Sequence, residues 1–144
     1  YVVLGPLFHH DITAELVDAL YKRTKIVLAP QGLIRYLHGE EIIWRQDRNA
    51  YHALANAMYV FLDQHELAFL TYEYNISKAA RKLQRRGAKN IVVTLGSEGS
   101  MLFIGDEQHH IRAYKPRKLV DPTGAGDSYL AGYLCATSFF TDEV

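Results

Sequence analysis

Apolar residues alternate along the chain between short continuous runs and segments with helical spacing. The continuous runs are rich in Val, Ile and Leu, which is typical of strands buried on both faces. They are YVVLG (1–5), KIVLAP (25–30), YVFLD (59–63) and NIVVTLG (90–96). The other segments place apolar residues three or four positions apart, as in amphipathic helices. They are DITAELVDALYKR (11–23), NAYHALANAMY (49–59), HELAFLT (65–71) and NISKAARKLQRRG (75–87). This order predicts βαβ units, a mainly parallel sheet and an α/β fold with helices on both sheet faces.

The remaining segments predict two hairpins and a final helix. The first hairpin is expected within QGLIRYLHGEEIIWRQ (31–46), and the second pairs SMLFIG with HHIRAY around Gly105-Asp106. The apolar segment AGDSYLAGYLCATSFF (125–140) predicts a buried helix. We expect Asp11 or Thr13 to cap the first helix, because both side chains accept hydrogen bonds from free N–H groups.

Composition narrows the function classes. The chain has 144 residues, 49% of them apolar and 22% charged, which is the balance of one soluble globular domain. Lys+Arg and Asp+Glu both number 16, so no charge excess favours a nucleic acid or a membrane surface as partner. No apolar run approaches the roughly 20 residues of a membrane helix. The single cysteine, Cys135, cannot form an internal disulfide, which favours a cytoplasmic location.

The segment VDPTGAGDSYLAG (120–132) places a turn of small residues between a strand end and a helix start. Ligands of open α/β sheets bind beyond the carboxyl ends of strands, and a helix N-terminus attracts anions through its free N–H groups. Asp127 falls in the first helical turn, where the helix dipole favours its ionised form. From these residues alone, an anion site with an adjacent proton acceptor and a plain turn before a helix are equally good interpretations.

The stretch DPTGAGDSYLAGYL (121–134) resembles the C-terminal signature of the ribokinase-like, or PfkB, family of carbohydrate and nucleoside kinases. The resemblance implies a ribokinase-like three-layer αβα fold with a mainly parallel sheet. It also implies ATP-dependent transfer of a phosphoryl group to a hydroxyl of a sugar, polyol or nucleoside. Asp127 resembles the general base that takes the proton from that hydroxyl. The residues that resemble the anion hole are Gly124, Ala125 and Gly126.

Two further residues of this segment carry roles from the resemblance. Thr123 would lie at the same phosphate loop. Asp121 stands where some family members bind a monovalent cation, although an acid at a strand end can equally be structural.

A second element of the family is a Thr-x-Gly-x-x-Gly turn that approaches the nucleotide phosphates and ribose. The chain has TLGSEG at 94–99, after its strongest predicted strand and about 30 residues before GAGD. The residues that resemble the nucleotide-binding turn are Thr94, Gly96, Ser97 and Gly99. By itself this segment predicts only a turn.

A third element of the family is Asn-x-x-Glu, which positions Mg²⁺ ahead of a helix. Asp63-Gln64-His65-Glu66 matches its spacing, with Asp63 in place of the usual Asn. A carboxylate also suits Mg²⁺, so the resemblance implies Glu66 and Asp63 as metal residues. The alternative is an exposed pair of acids at a helix start.

Other polar features give weaker indications. The pattern Gln31-Gly32-x-x-Arg35 resembles a family subset that includes inositol-type kinases. Arg35 either serves the phosphate end of the site or pairs with a surface acid. The pairs His9-His10 and His109-His110 do not have metal-like spacing, and adjacent strand residues point to opposite faces.

The resemblance covers the middle and later part of a complete family domain, which is roughly twice as long. We therefore expect a truncated domain without the lid sheet and the C-terminal helices, and little or no activity from the chain alone. The alternative to a kinase is a non-catalytic ribokinase-like module that binds a nucleotide or a partner protein. Its grounds are the Asp63 departure and the missing lid, whereas the intact GAGD segment argues against it.

Overall fold

A computed structural model of the chain describes residues 1–118 and 120–140. The chain divides into two compact units, Tyr1–Ala113 and a second unit that begins at Tyr114. Each unit is described by itself below. The expectation of one partial kinase domain stays a prediction.

A six-stranded sheet forms the centre of the first unit, in the order β1-β2-β5-β6-β7-β8. Its strands are β1 (Val2–Leu4), β2 (Ile26–Leu28), β5 (Tyr59–Asp63), β6 (Asn90–Thr94), β7 (Ser100–Ile104) and β8 (Glu107–Ile111). The first four strands pair in parallel, and β7 and β8 continue the sheet in antiparallel fashion. The prediction of a mainly parallel sheet is confirmed.

Four helices connect the parallel strands of this unit. They are α1 (Ala14–Tyr21), α2 (Arg48–Asn56), α3 (Gln64–Thr71) and α4 (Ile76–Arg85). The crossovers from β1 to β2, β5 and β6 all advance in the same direction across the sheet. Each connection between neighbouring parallel strands therefore contains at least one helix, as in the predicted βαβ units. The hydrophobic core includes the side chains of Val60, Leu62, Ile91 and Val93, which alternate along β5 and β6.

The start of α1 settles which polar residue caps it. Thr13 is the N-cap, and its hydroxyl accepts a hydrogen bond from the Leu16 N–H at 3.3 Å. Asp11 instead accepts from the N–H groups of Leu7 and Phe8, at 2.8 and 2.9 Å. Asp11 therefore closes the loop before the helix. Whether Asp11 or Thr13 caps α1 depends on the path of that loop, and the spacing of residues in the sequence does not specify this path.

Both predicted hairpins are present. Strands β3 (Arg35–His38) and β4 (Glu41–Trp44) form a separate two-stranded sheet, and β7 pairs with β8 around the turn at Gly105-Asp106. Helix α2 differs from its prediction because it ends at Asn56 rather than at residue 59. The backbone is already extended at Ala57, and residue 59 begins β5.

The second unit contains one helix, α5 (Ala125–Phe140), in its described part. The expectation that this helix is buried is wrong for this chain. Most of its described side chains are exposed, including that of Cys135, although Leu130 is buried. Apolar composition favours burial, but burial also requires neighbouring elements that cover the helix, and composition does not supply them. Within the described residues, no helix is both long and apolar enough to cross a membrane.

Candidate active site

The carboxyl ends of β5 and β6 bring two of the three predicted elements together. Asp63 is the last residue of β5, Thr94 is the last residue of β6, and the two are direct partners in the parallel register. The Asp63–Glu66 segment and the Thr94–Gly99 turn therefore leave the sheet side by side. This is the edge at which open α/β sheets bind their ligands.

Asp63 and Glu66 form a capping box at the start of α3. The Asp63 Oδ1 atom accepts hydrogen bonds from the N–H groups of His65 and Glu66, at 2.7 and 2.8 Å. In return, the Glu66 Oε2 atom accepts from the Asp63 N–H at 3.0 Å. Asn and Asp serve about equally well as N-caps. Asp63 in place of the family's Asn therefore preserves the local structure, and Asp-x-x-Glu before an apolar run is a signal that the sequence carries.

Glu66 is a buried carboxylate, not the exposed helix-start acid of the alternative interpretation. Its residue is only 4% exposed. Burial raises the pKa of Glu66 to about 7, and the negative charge of Asp63 adds to the increase. The Asp63 N–H, the Arg35 guanidinium and a hydrogen bond with Gln31 act in the opposite direction on this pKa. The site thus holds a carboxylate that would gain from a nearby cation.

Gln31 and Arg35 reach this site because a short 3₁₀ helix (Pro30–Ile34) follows β2. A Cβ atom at Gly32 would lie 2.0 Å from the Pro6 carbonyl oxygen, so only glycine allows the loop after β1 to pass so closely. The sequence alone is compatible with Arg35 at the phosphate end of the site or beside a surface acid. In the structure its charge acts on the buried Glu66. The sequence does not predict the hydrogen bond between Gln31 and Glu66.

The TLGSEG segment forms a tight turn between β6 and β7. The Leu95 N–H donates to the Gly99 carbonyl at 2.8 Å, and the N–H groups of Glu98 and Gly99 donate to Leu95 and Gly96 at 3.2 Å. These bonds do not use the N–H groups of Gly96 and Ser97, which are exposed residues. The turn can therefore present two backbone donors to an anion.

Gly99 is required by the geometry of this turn. Its φ is 97°, in the region that side chains rarely adopt. A Cβ atom there would also lie 2.0 Å from the Ile111 carbonyl oxygen on β8. Gly99 thus holds the turn against the adjacent strand, which is a structural role for one of the predicted nucleotide-binding residues.

The Glu66 and Asp63 carboxylates fit the ligand preferences of Mg²⁺. This ion is usually held by one or two carboxylates together with water and substrate phosphates. Among residues 1–118 and 120–140, no group of three or more His, Cys, Asp or Glu side chains is placed to hold a metal alone. The buried Glu66 and the neighbouring Asp63 therefore match the one or two carboxylates that usually bind Mg²⁺ together with phosphate oxygens and water.

The second unit contains the third predicted element as a compact turn followed by α5. The Asp121 Oδ1 atom accepts from the Thr123 N–H at 2.8 Å, and hydrogen bonds from Thr123 hold the pKa of Asp121 below its usual value. The Ala125 N–H donates to the Pro122 carbonyl at 3.0 Å. Asp127 is the third residue of α5 and is exposed. The predicted helix start with an acid in its first turn is confirmed.

The histidine pairs have other partners. The His9 ring stacks on Tyr36 with a centroid distance of 3.7 Å. The His109 Nε2 atom lies at hydrogen-bond distance, 3.0 Å, from a carboxylate oxygen of Glu107. The structure therefore uses them in packing and surface contacts.

Comparison with known proteins places the chain in a family. A family profile described as pfkB family carbohydrate kinase matches residues 17–138. The chain belongs to this family, whose members are kinases. The sequence resemblance is thereby confirmed over most of the chain.

Individual relatives include nucleoside and sugar kinases. The chain is 31% identical over 105 residues to a nucleoside kinase of Methanocaldococcus jannaschii, a match that covers 73% of this chain and 34% of the relative. It is 35% identical over 80 residues to a cytidine kinase of Thermococcus kodakarensis, which covers 55% of this chain and 29% of the relative. The aligned part of the chain thus spans about a third of the length of these curated relatives.

Solved structures confirm the ribokinase-like αβα fold. A pyrophosphate-dependent kinase of the ribokinase family, complexed with a pyrophosphate analogue and myo-inositol, superposes with a TM-score of 0.83 at 21% identity. That match covers all of this chain and 52% of the other. The ribokinase of Arabidopsis thaliana, complexed with ribose and ATP, gives a TM-score of 0.68 at 26% identity, covering 86% of this chain and 38% of that one.

Proposed function

We propose that this chain supplies the phosphate and metal portion of a kinase active site that transfers a phosphoryl group from ATP to a hydroxyl of a sugar, polyol or nucleoside. The observation that best supports this proposal is the helix start at Gly124–Asp127, with a carboxylate in the first turn of α5. Family membership supports the reaction class. The named relatives act on nucleosides and sugars, which supports the acceptor class.

Asp127 is assigned as the general base. Its carboxylate takes the proton of the acceptor hydroxyl as the oxygen of that hydroxyl forms a bond to the γ-phosphorus of ATP. The bond from that phosphorus to the bridging oxygen breaks, and ADP leaves with the electron pair. Asp127 is exposed to solvent in the first turn of α5, so an acceptor hydroxyl can approach its carboxylate.

The anion hole is assigned to the backbone of Gly124, Ala125 and Gly126. The Ser128 N–H donates to the Gly124 carbonyl at 2.9 Å. The Gly126 N–H is among the first N–H groups of α5, which have no carbonyl partner within a helix. The Ala125 N–H donates to Pro122 and would join the hole only when that bond is released. Such donors stabilise the charge on the phosphoryl oxygens during transfer.

The remaining assignments concern the donor and the ions. Thr94, Gly96, Ser97 and Gly99 would bind the nucleotide through the turn after β6, and Thr123 would contact phosphate at the turn before α5. Glu66, with Asp63, would hold Mg²⁺ through water and phosphate oxygens. When bound, Mg²⁺ neutralises phosphate charge. Asp121 is assigned to a monovalent cation, which its ionised carboxylate would suit.

The decisive experiment is Asp127→Asn in the full-length protein. Loss of a general base should reduce kcat by about 10²- to 10⁴-fold, whereas the dissociation constant for ATP should change less than about threefold. Asp106→Asn is the matched control, because Asp106 is an exposed acid in the β7–β8 turn. Retained turnover in Asp127→Asn would reject the assignment of the base.

The same turnover assay distinguishes a kinase from the alternative, a non-catalytic module. Asp63 meets the local N-cap requirement as well as Asn does. The replacement of Asn by Asp is therefore a weaker argument for a non-catalytic module. ATP binding without turnover of any sugar, polyol or nucleoside, with ATP or pyrophosphate as donor, would favour the module. We further expect the 144-residue chain alone to show little or no turnover.

A further inference from the structure

Helix α4 concentrates positive charge in a chain whose acids and bases otherwise balance. Its cations occupy positions i, i+3, i+4 and i+7, which form one stripe along a helix. They are Lys78, Arg81, Lys82 and Arg85. No acid occurs between Glu73 and Glu98, although the whole chain has equal numbers of acids and bases. The opposite face of the helix, with Ala79, Ala80 and Leu83, is buried.

Hydrogen bonds to carbonyl oxygens hold two of these cations in place without neutralising them. Arg81 donates to the carbonyl oxygens of Gly105 and Asp106, and Lys82 donates to that of Thr71. Lys78 and Arg85 are exposed. In the described part of the chain, the ion pairs all involve histidine, so no α4 cation has a carboxylate partner within 4.0 Å.

The stripe borders an open groove of about 430 Å³, lined by the four cations with Glu73 and Ser77. All lining residues come from α4 and the loop before it, so the groove is a surface and not an enclosed pocket. Two exposed aromatic side chains lie in the same loop, Tyr72 at 75% and Tyr74 at 92% exposure. Tyr and Arg, together with Trp, are enriched among the residues that contribute most binding energy at protein–protein interfaces.

We propose that this surface, the α4 patch (Tyr72–Tyr74 with the four cations), binds an acidic segment of a partner protein. Lys78 and Arg85 are seven residues apart, which is about 10 Å along a helix. Carboxylates spaced i, i+4 and i+7 on an acidic helix match that length. An open surface with exposed tyrosines suits a protein better than a small organic molecule, because sites for small molecules are usually concave. A balanced total charge does not suit nucleic acid.

The test measures fluorescence anisotropy of a labelled alanine-based helical peptide with glutamates at i, i+3, i+4 and i+7, added to the full-length protein. Its glutamine counterpart is the peptide control. We expect binding of the glutamate peptide only, strongest near 0.01 M salt, where the Debye length is about 30 Å. Lys78→Glu with Arg85→Glu should weaken binding at least about tenfold. Lys22→Glu with Arg23→Glu, the same charge change at exposed positions after α1, should leave it within about twofold.

Tyr74→Ala separates a protein interface from bulk electrostatics, because it leaves the charge unchanged and removes a side chain that is 92% exposed. We expect it to weaken peptide binding several-fold. Equal losses in the α4 and control double variants, no binding of the glutamate peptide, or tighter binding of single-stranded RNA or tripolyphosphate than of the peptide would each overturn the proposal. Kinase turnover of the Lys78→Glu, Arg85→Glu variant reports separately on the proposed function, since neither residue belongs to the assigned active site.

Discussion

The buried Glu66 carboxyl makes the stability of the protein depend on pH in a direction that is unusual for an acid. Its pKa is raised to about 7 from the ordinary 4.5, mainly by burial. Between these values the folded protein keeps a proton on Glu66 that the unfolded chain releases. The contribution of Glu66 to stability is therefore fully present below about pH 4.5 and is lost as the pH rises through about 7.

The structure sets the size of this effect. The interval from 4.5 to about 7, at about 1.4 kcal/mol per pKa unit, corresponds to about 3 kcal/mol over the whole window. Glu66→Gln removes the titration but keeps an oxygen that can accept from the Asp63 N–H, because Gln also serves in a capping box. The variant should therefore gain stability relative to wild type as the pH rises.

Urea unfolding of wild type and Glu66→Gln measures this directly. The difference in their free energies of unfolding should change by about 2–3 kcal/mol between about pH 5 and about pH 8. Glu41→Gln, at an exposed acid of β4, should show no comparable change. A Glu66→Gln difference that stays constant within about 0.5 kcal/mol over this range would refute the argument that burial controls this carboxyl.

Three further changes test local features of the same edge of the sheet. Gly99→Ala should cost more than about 2 kcal/mol of stability, because its Cβ would meet the Ile111 carbonyl, and a large drop in the urea midpoint would confirm it. Gly96→Ala, where a Cβ has open space, should cost only about 1 kcal/mol, and equal losses would contradict the steric account. Asp63→Ala should cost about 1 kcal/mol through loss of the N-cap, whereas Asp63→Asn should stay within a few tenths; a similar loss in both variants would show that the charge and not the cap matters.

Local patterns predicted most of the elements of the fold. The run NIVVT (90–94) forms a strand because β-branched residues fit a pleated, buried surface. The turn at Gly105-Asp106 likewise depends on neighbouring residues. The capping box joins Asp63 and Glu66, which are only three positions apart, so it also depends on local sequence.

Features that depend on distant parts of the chain could not be predicted in this way. Thr13 rather than Asp11 caps α1 because of how the loop from Leu7 folds back. The helix α5 is apolar but largely exposed in this chain. The pattern of residues within a helix does not specify which elements cover it, so its exposure could not be predicted. Arg81 is fixed by carbonyls of a turn 24 and 25 residues away.

The sequence by itself determined the strand and helix order and the three family elements, because these arise from contacts between residues near one another in the chain. Tertiary structure alone decided that Asp63 and Thr94 end neighbouring strands and that Glu66 is buried near Gln31 and Arg35. It also decided that the cations of α4 have no acidic partners among the described residues. Strand register and desolvation are set by long-range packing, and they give an ordinary glutamate a pKa of about 7.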